Sequence, residues 1–260
     1  MIQGTLLCTV RDCRSNLTPG DGILRCPRGH CFDVARSGYV NLLQPQDKRS
    51  KQPGDSAQAV EARRRLHESG FSAALRDAIG AMLDAGPEDR VLDAGCGEGF
   101  YLGTLAARAG FEGHGVDLSV PAIQSAAKRY SACTWVVANA DRFLPYPDAW
   151  FTHVMTITAR TNAAEFRRVL QAGGRLLVAV PSPEDLKELR GQGKDRTARV
   201  LEDFRERFRL IGQQRATTVA DLERQAVEDV LHTIYRPMRT LPVEAMRVTF
   251  SLDLLLLEAV

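Results

Sequence analysis

Four cysteines and a histidine crowd the first 31 residues: Cys8, Cys13, Cys26 and Cys31, with His30 beside the last. Thiolates and imidazoles are preferred donors for Zn²⁺. Cys8-x4-Cys13 followed by Cys26-x3-His30 gives two pairs separated by a loop, the two-plus-two supply of a tetrahedral site. His30 and Cys31 are adjacent, so only one of them can point inward, and spacing alone leaves the choice open. Four protein ligands fill the coordination sphere, which makes the metal structural. A segment this short buries too little apolar area to fold without a staple. In a reducing compartment that staple is a metal sooner than a disulfide. Cys96 and Cys133 stand apart and read as small core residues.

A second constellation is Val91-Leu92-Asp93-Ala94-Gly95-Cys96-Gly97-Glu98-Gly99, an apolar run ending in three glycines at alternate positions. Glycine lets the backbone take φ > 0 and lie against a ligand, and the helix that follows offers free N–H groups. A nicotinamide site would prefer G-x-G-x-x-G. The spacing G-x-G-x-G, with Asp93 two residues before the first glycine, instead resembles the first motif of class I S-adenosylmethionine (SAM) methyltransferases. His114-Gly115-Val116-Asp117-Leu118 ends a second apolar run in an acid about 20 residues on, where a ribose diol needs a carboxylate acceptor. A third run, Thr134 to Ala138, leads into Asn139-Ala140-Asp141, which in that fold faces the adenine edge. The expected cofactor-binding residues are therefore Asp93, Gly95, Gly97, Gly99, Asp117, Asn139, Ala140 and Asp141.

These residues need a scaffold that presents strand ends along one edge. Arg90 to Ala94 read as a buried strand and Phe100 to Ala109 as a helix. Thr152 to Ile157 is a fourth strand, and Ala163 to Leu170 a helix ending at Gly173-Gly174. Arg175 to Val180 is a fifth strand. Phe208 to Thr217 and Arg247 to Glu258 are expected to pair as a closing hairpin, with a helix over Val219 to Leu231 between them. Strand and helix in alternation predict an α/β fold, a Rossmann-like parallel sheet of seven strands with both faces covered. Asp55-Ser56 reads as the N-cap of a helix running through Arg63-Arg64-Arg65. Lys187 to Arg207 is charged and helical in character, and is expected to be a solvated cover over the cleft.

A hydrophobic content of 44% and a charged content of 25% are those of a soluble globular chain. No apolar run reaches the roughly 20 residues of a membrane helix, and the first twenty residues lack a signal-peptide pattern, so a cytoplasmic location is expected. The net charge of +2 is unevenly spread: residues 1–65 carry +5 and the remainder −3. A basic front end suggests an anionic partner held through phosphate contacts. Lys48 to Arg65 is the stretch expected to make them.

The amino-terminal half also resembles the RlmA-type 23S ribosomal RNA guanine-N1 methyltransferases. The resemblance rests on Cys26-Pro27-Arg28-Gly29-His30-Cys31-Phe32-Asp33, Gly38-Tyr39-Val40-Asn41-Leu42-Leu43, Asp47-Lys48-Arg49-Ser50, Pro53-Gly54-Asp55-Ser56 and Ala62-Arg63-Arg64. It continues through Leu92 to Tyr101, Gly115 to Ser119, and Ala126 to Tyr130. It implies a class I methyltransferase with a small N-terminal zinc-binding domain: residues 1–45 recognise RNA, 46–65 form a linker and basic helix, and 66–260 bind SAM. It implies Cys8, Cys13, Cys26 and His30 as zinc ligands, adds Tyr101 and Leu118 to the cofactor set, and gives a 23S rRNA hairpin as partner. Whether two chains pair as a homodimer is left open.

The chain departs from the family in three places. The first cysteine pair is C-x4-C where C-x2-C is usual. Thr156-Ile157-Thr158-Ala159-Arg160-Thr161 replaces an aromatic-plus-proline segment, and Leu231-His232-Thr233-Ile234 stands where Met-Thr-Pro is usual. The last two changes face the methyl acceptor, so a small metabolite or another RNA base is the alternative substrate. Asp55 and His232 are the candidates for a general base, and neither is assigned.

Overall fold

The computed structural model describes residues 5–47, 53–234 and 243–260. The amino-terminal unit is a three-stranded sheet of β1 (Thr18–Pro19), β2 (Ile23–Arg25) and β3 (Cys31–Asp33), ordered β1-β2-β3. Its hairpins present the two cysteine pairs. A bridge between Leu7 and Asn16 closes the loop carrying Cys8 and Cys13, and the β2–β3 turn carries Cys26 to His30. The chain then enters β4 (Val40–Asn41), which pairs in parallel with Val136 and Val137 of the large sheet.

Helix α1 (Ala57–Glu68) starts where Ser56 accepts a hydrogen bond from the Ala59 amide, as its N-cap position predicts. After α2 (Ala73–Leu83) come β5 (Arg90–Ala94), α3 (Phe100–Ala109), β6 (Glu112–Asp117), α4 (Val120–Arg129), β7 (Thr134–Val137) and β8 (Phe151–Ile157). The chain continues through α5 (Ala163–Val169), β9 (Leu170–Pro181), α6 (Lys187–Arg190) and α7 (Thr197–Phe204), and ends with β10 (Phe208–Leu222), α8 (Arg224–Thr233) and β11 (Met246–Ala259). The strand order is β10-β11-β9-β8-β5-β6-β7-β4, parallel from β9 to β4 with β10 and β11 antiparallel. The expected closing hairpin is thus present. The seven expected strands are joined by an eighth, β4, too short to carry a periodic signal.

Because alternate residues of a strand face opposite sides, the buried strands supply two cores. Val91, Val137, Met155 and Leu177 pack with α2, α3 and α4. Leu92, Val116, Val136 and Val154 pack on the other face with Phe166, Val200 and Phe204, and with Leu6, Leu24 and Phe32 of the amino-terminal unit. That unit shares its core with the sheet, and the Leu7 amide also bonds the Pro145 carbonyl at 2.9 Å. Leu66 of α1 joins α6 and α8 in a third cluster.

Two boundaries and one surface assignment differ from expectation. Helix α5 ends at Val169; Gly173-Gly174 lie inside β9, where the register slips between Phe151 and His153 and Gly173 takes φ +70°. A glycine pair read as a helix stop is the flexible part of a bulge. Strand β10 runs on to Leu222, so α8 begins at Arg224 and not at Val219. Lys187 to Arg207 is not a loose cover: Val200 and Phe204 are buried, and Phe204 stacks on Phe166 at 6.3 Å. Among the described residues, no helix is long and apolar enough to cross a membrane.

Candidate cofactor site and metal cluster

The order β7-β6-β5-β8 places β5 between β6, which follows it in the chain, and β8, which is reached by a long crossover. Such a switch point opens a crevice at the carboxyl ends of the strands. Four segments meet there: the glycine turn after β5, Asp117 at the end of β6, Asn139 to Asp141 after β7, and Thr158-Ala159 after β8.

The glycines are dictated by what lies against them. Gly95 has φ +88°, and a Cβ on it would stand 2.3 Å from that of Ala159. Gly99 has φ +80° and caps α3, and a Cβ there would meet the Trp135 ring at 2.4 Å. The amide of Gly97 donates to Asp117 Oδ2 at 2.9 Å, while the Ser119 amide donates to Oδ1 at 2.8 Å. The acid closing the second strand is thereby fixed beside the glycine turn. Asp93, below the turn, is 1% exposed, and its Oδ1 has no hydrogen-bond partner among the described residues. Burial, then the charges of Asp117 and Glu98, push its pKa well above the usual carboxylate range. A buried orphan acceptor in an acidic crevice fits a cationic ligand group.

Asn139 and Asp141 occupy the next turn, where Asn139 Oδ1 accepts from the Asp141 amide at 3.1 Å. Asp141 pairs with Arg160 at 3.3 Å, joining this turn to the loop after β8. In that loop Thr158 takes φ +53°, a conformation that costs a non-glycine residue roughly 1–3 kcal/mol. Tyr101 and Leu118 are partly buried beside the turn segments, and Cys96 is a buried thiol held protonated by burial and the acids around it.

Helix α1 supplies what the sequence reading missed. Arg63 Nη1 stands 3.4 Å from where a Gly97 Cβ would be, and it donates to Asp55 Oδ2 at 2.6 Å. One turn on, His67 Nδ1 lies 2.5 Å from Oε1 of Glu98, which is 2% exposed. The i, i+4 spacing of Arg63 and His67 puts both on one helical face and was the available signal. Asp55 is itself anchored, since its carbonyl accepts from Ser119 Oγ at 2.7 Å.

The other arginines of α1 are also committed. Arg64 pairs with Glu61 and Glu68, and Arg65 with Asp229 at 2.6 Å. Each guanidinium of this helix already has a carboxylate partner, which weighs against the expectation that it meets phosphates. Lys48, Arg49 and Lys51, which belong to the same expectation, lie outside the described residues. In contrast, Arg11, Arg14, Arg25, Arg28 and Arg36 are exposed, and none pairs with a carboxylate among the described residues. Of the two candidate bases, Asp55 is tied to Arg63. His232 is exposed at the end of α8, with Nε2 3.2 Å from Gln58 Nε2.

The amino-terminal donors converge. One ligand atom each from Cys8, Cys13, Cys26 and His30 lies within 4.8 Å of the others. Zn–S bonds of about 2.3 Å and Zn–N bonds of about 2.0 Å require tetrahedral edges of about 3.8 Å between sulfurs and about 3.5 Å from sulfur to nitrogen. The observed separations are 3.7 Å for Cys13–Cys26, 3.4 Å for Cys8–His30 and 3.3 Å for Cys26–His30. The donor set therefore fits the ion. Cys31 is exposed, its thiol on the Gly29 carbonyl at 3.4 Å, so His30 and not Cys31 completes the cluster. Without a cation the thiols titrate far apart: burial pushes Cys8 up to about 12, and a backbone hydrogen bond from Ser15 draws Cys13 down to about 6.

Two family models match the chain: an RlmA N-terminal zinc ribbon over residues 7–51 and a methyltransferase domain over 91–178. A 23S rRNA (guanine(748)-N(1))-methyltransferase of Streptomyces fradiae is 34% identical over 230 residues, 84% of this chain and 81% of the relative. YxjB of Bacillus subtilis (strain 168) is 38% identical over 193 residues, 70% of this chain and 66% of its own. Among solved structures, the MccD protein matches with a TM-score of 0.50 at 16% identity, covering 71% of this chain and 96% of that one. The [4+2]-cyclase SpnF matches with a TM-score of 0.50 at 18% identity, covering 71% and 79%. These two likenesses show the fold alone, which hosts more than one chemistry.

Proposed function

The chain belongs to the 23S rRNA (guanine-N1)-methyltransferase family, and from that premise we propose that it transfers a methyl group from SAM to N1 of a guanine in 23S rRNA. The observation that carries this reading is the fixed acid of the second strand: Asp117 is held by the Gly97 and Ser119 amides at the mouth of the crevice. Asp117 would take the ribose hydroxyls there, and Asn139, Ala140 and Asp141 the adenine edge. The free oxygen of Asp93 would take a cationic group. Tyr101 and Leu118 would flank the ligand.

When bound, SAM supplies an electrophilic methyl carbon on a sulfonium. The chain's own contribution is to hold donor and acceptor in line, which removes much of the entropic barrier. The loop of Thr158 and Ala159, pressed on Gly95, would shape the acceptor side. Guanine N1 must lose its proton. Asp55 is engaged by Arg63 and His232 is exposed beside Gln58, so neither is arranged to take it.

Zn²⁺ held by Cys8, Cys13, Cys26 and His30 would be structural. It stiffens a unit whose exposed arginines, Arg11, Arg14, Arg25, Arg28 and Arg36, would contact rRNA phosphates while a looped or flipped base enters the crevice. Functionally, residues up to 45 would recognise RNA, 46–65 would link, and 66–260 would carry out the transfer, in the cytoplasm where rRNA resides. The test is mass-spectrometric mapping of 23S rRNA from cells with and without the gene, paired with transfer from tritiated SAM to the unmodified rRNA. One 1-methylguanosine should vanish on deletion and be restored by the purified protein. Unchanged rRNA and no transfer in vitro would overturn the reading.

A further inference from the structure

Arg63 is unlike its neighbours. Arg64 and Arg65 spend their donors on Glu61, Glu68 and Asp229, whereas Arg63 makes one hydrogen bond among the described residues, Nη1 to Asp55. A guanidinium carries five N–H donors in a rigid fork, and most of this one is free. Its side chain is 25% exposed, so the guanidinium is not sealed into packed core. The tip stands directly over Gly97, where a side chain would meet it at 3.4 Å. Burial alone would lower its pKa, but the charges of Asp55, Glu98 and Asp117 outweigh burial and keep it ionised.

The ligand this crevice would take is a zwitterion at its amino-acid end. Acids suit the ammonium and the sulfonium, but a carboxylate placed among Asp93, Glu98 and Asp117 needs a cation of its own. We propose that Arg63 grips the carboxylate of the methionine moiety of SAM, with Asp55 as the brace that aims the guanidinium. The proposal rests on the SAM-dependent reading above and adds one residue to the site. The brace is fixed in turn: Gly54 packs on Ser119, with room for no Cβ, and Ser119 Oγ donates to the Asp55 carbonyl. A planar fork against a carboxylate is the pairing for which arginine is better suited than lysine.

The experiment compares SAM with decarboxylated SAM by calorimetry on the full-length protein, as wild type, Arg63→Met and Arg63→Lys. Wild type should prefer SAM by about tenfold or more, the size expected for a charge-assisted hydrogen bond. Arg63→Met should lose that preference by weakening SAM alone, with decarboxylated SAM held within about twofold, and Arg63→Lys should recover part of it. Retained binding of decarboxylated SAM certifies that the variant is folded. Equal weakening of both ligands would make Arg63 a structural residue and overturn the proposal, as would a preference that survives the substitution. If wild type bound neither ligand, the SAM reading itself would fall, and the two failures are thus distinguishable.

Discussion

The imidazole of His67 and the carboxylate of Glu98 meet at 2.5 Å, joining α1 to the glycine turn. The His67 ring also stacks on Phe100 at 4.2 Å, so the end of α1 and the start of α3 form one packed unit. Burial would raise the pKa of Glu98, but the hydrogen bond and charge of His67 outweigh it and hold the acid below its ordinary value of 4.5. A depressed carboxylate contributes stability above its unfolded pKa and loses it as pH falls through the folded one. His67→Gln should therefore melt below wild type at neutral pH, and the gap should close as pH drops below about 4.5. A gap constant across that range, read by thermal unfolding, would show that the pair is not electrostatically coupled.

Asp117 shifts the other way. Burial raises its pKa above the usual 3.8, Asp55 adds to this, and the amides of Ser119 and Gly97 oppose it without cancelling it. A raised acid makes its ionised form costly, so the unliganded protein loses stability as pH rises past 3.8 toward the folded value. Ribose hydroxyls and a cationic ligand both favour the carboxylate. SAM affinity should therefore strengthen as pH rises through this range, and Asp117→Asn should bind about tenfold more weakly with a flatter pH profile. Calorimetry at stepped pH reads both. A variant with wild-type affinity and slope would remove Asp117 from the site.

Gly99→Ala should be severe. The new Cβ would sit 2.4 Å from Trp135 and 2.9 Å from Ala126 at φ +80°, combining overpacking with strain. The two effects together should cost about 3 kcal/mol. Gly110→Ala is the control, since its φ of +79° and ψ of 5° match the left-handed conformation of Gly99 (φ 80°, ψ 12°) but the added carbon would meet nothing closer than Pro87 at 3.6 Å. It should lose about 1 kcal/mol, the strain contribution alone. Matching melting temperatures for the two variants would refute the packing account.

The contrast between local and distant partners decides what could be read from the chain. The glycine turn, Asp117 and the Cys/His spacing are local signals, and they come together where the spacing placed them. Arg63-Arg64-Arg65 looks like a basic face because the partners of Arg63 and Arg65 include Asp229, 164 residues on, and the acids around Gly97. The partners of Arg64 were readable, since Glu61 and Glu68 lie at i−3 and i+4. Strand β4 was not, because two residues carry no periodicity and its parallel partner is almost a hundred positions away.

The metal cluster gives a test of ligand identity. Cys26→Ser and His30→Ala should each lose bound zinc, while Cys31→Ser should keep one ion per chain by plasma mass spectrometry. Because Leu24 and Phe32 belong to the same core as Leu92 and Val116, metal loss should also lower the melting temperature of the whole protein. If chelation left a single unchanged transition, the cluster would not be holding the fold.

The last prediction separates the two basic regions. A phosphate contact releases counterions, so losing one flattens the dependence of log K on log salt by about 0.7–0.9. Arg25 and Arg28 are exposed on the cysteine-bearing unit, Arg28 giving one donor to the Asp12 carbonyl at 2.6 Å and neither pairing with an acid among the described residues. Arg64 is neutralised by Glu61 and Glu68. Removing Arg25 and Arg28 together should weaken binding of the 23S rRNA hairpin and reduce the salt slope by roughly 1.5, with SAM affinity unchanged. Arg64→Ala should leave the slope as it was, because that arginine holds carboxylates and not counterion-bearing phosphates. Fluorescence anisotropy titrations over a salt series make the comparison. A slope that fell for Arg64→Ala and stood firm for the ribbon variant would move the RNA path onto α1, and the ion pairs seen there would have to open on binding.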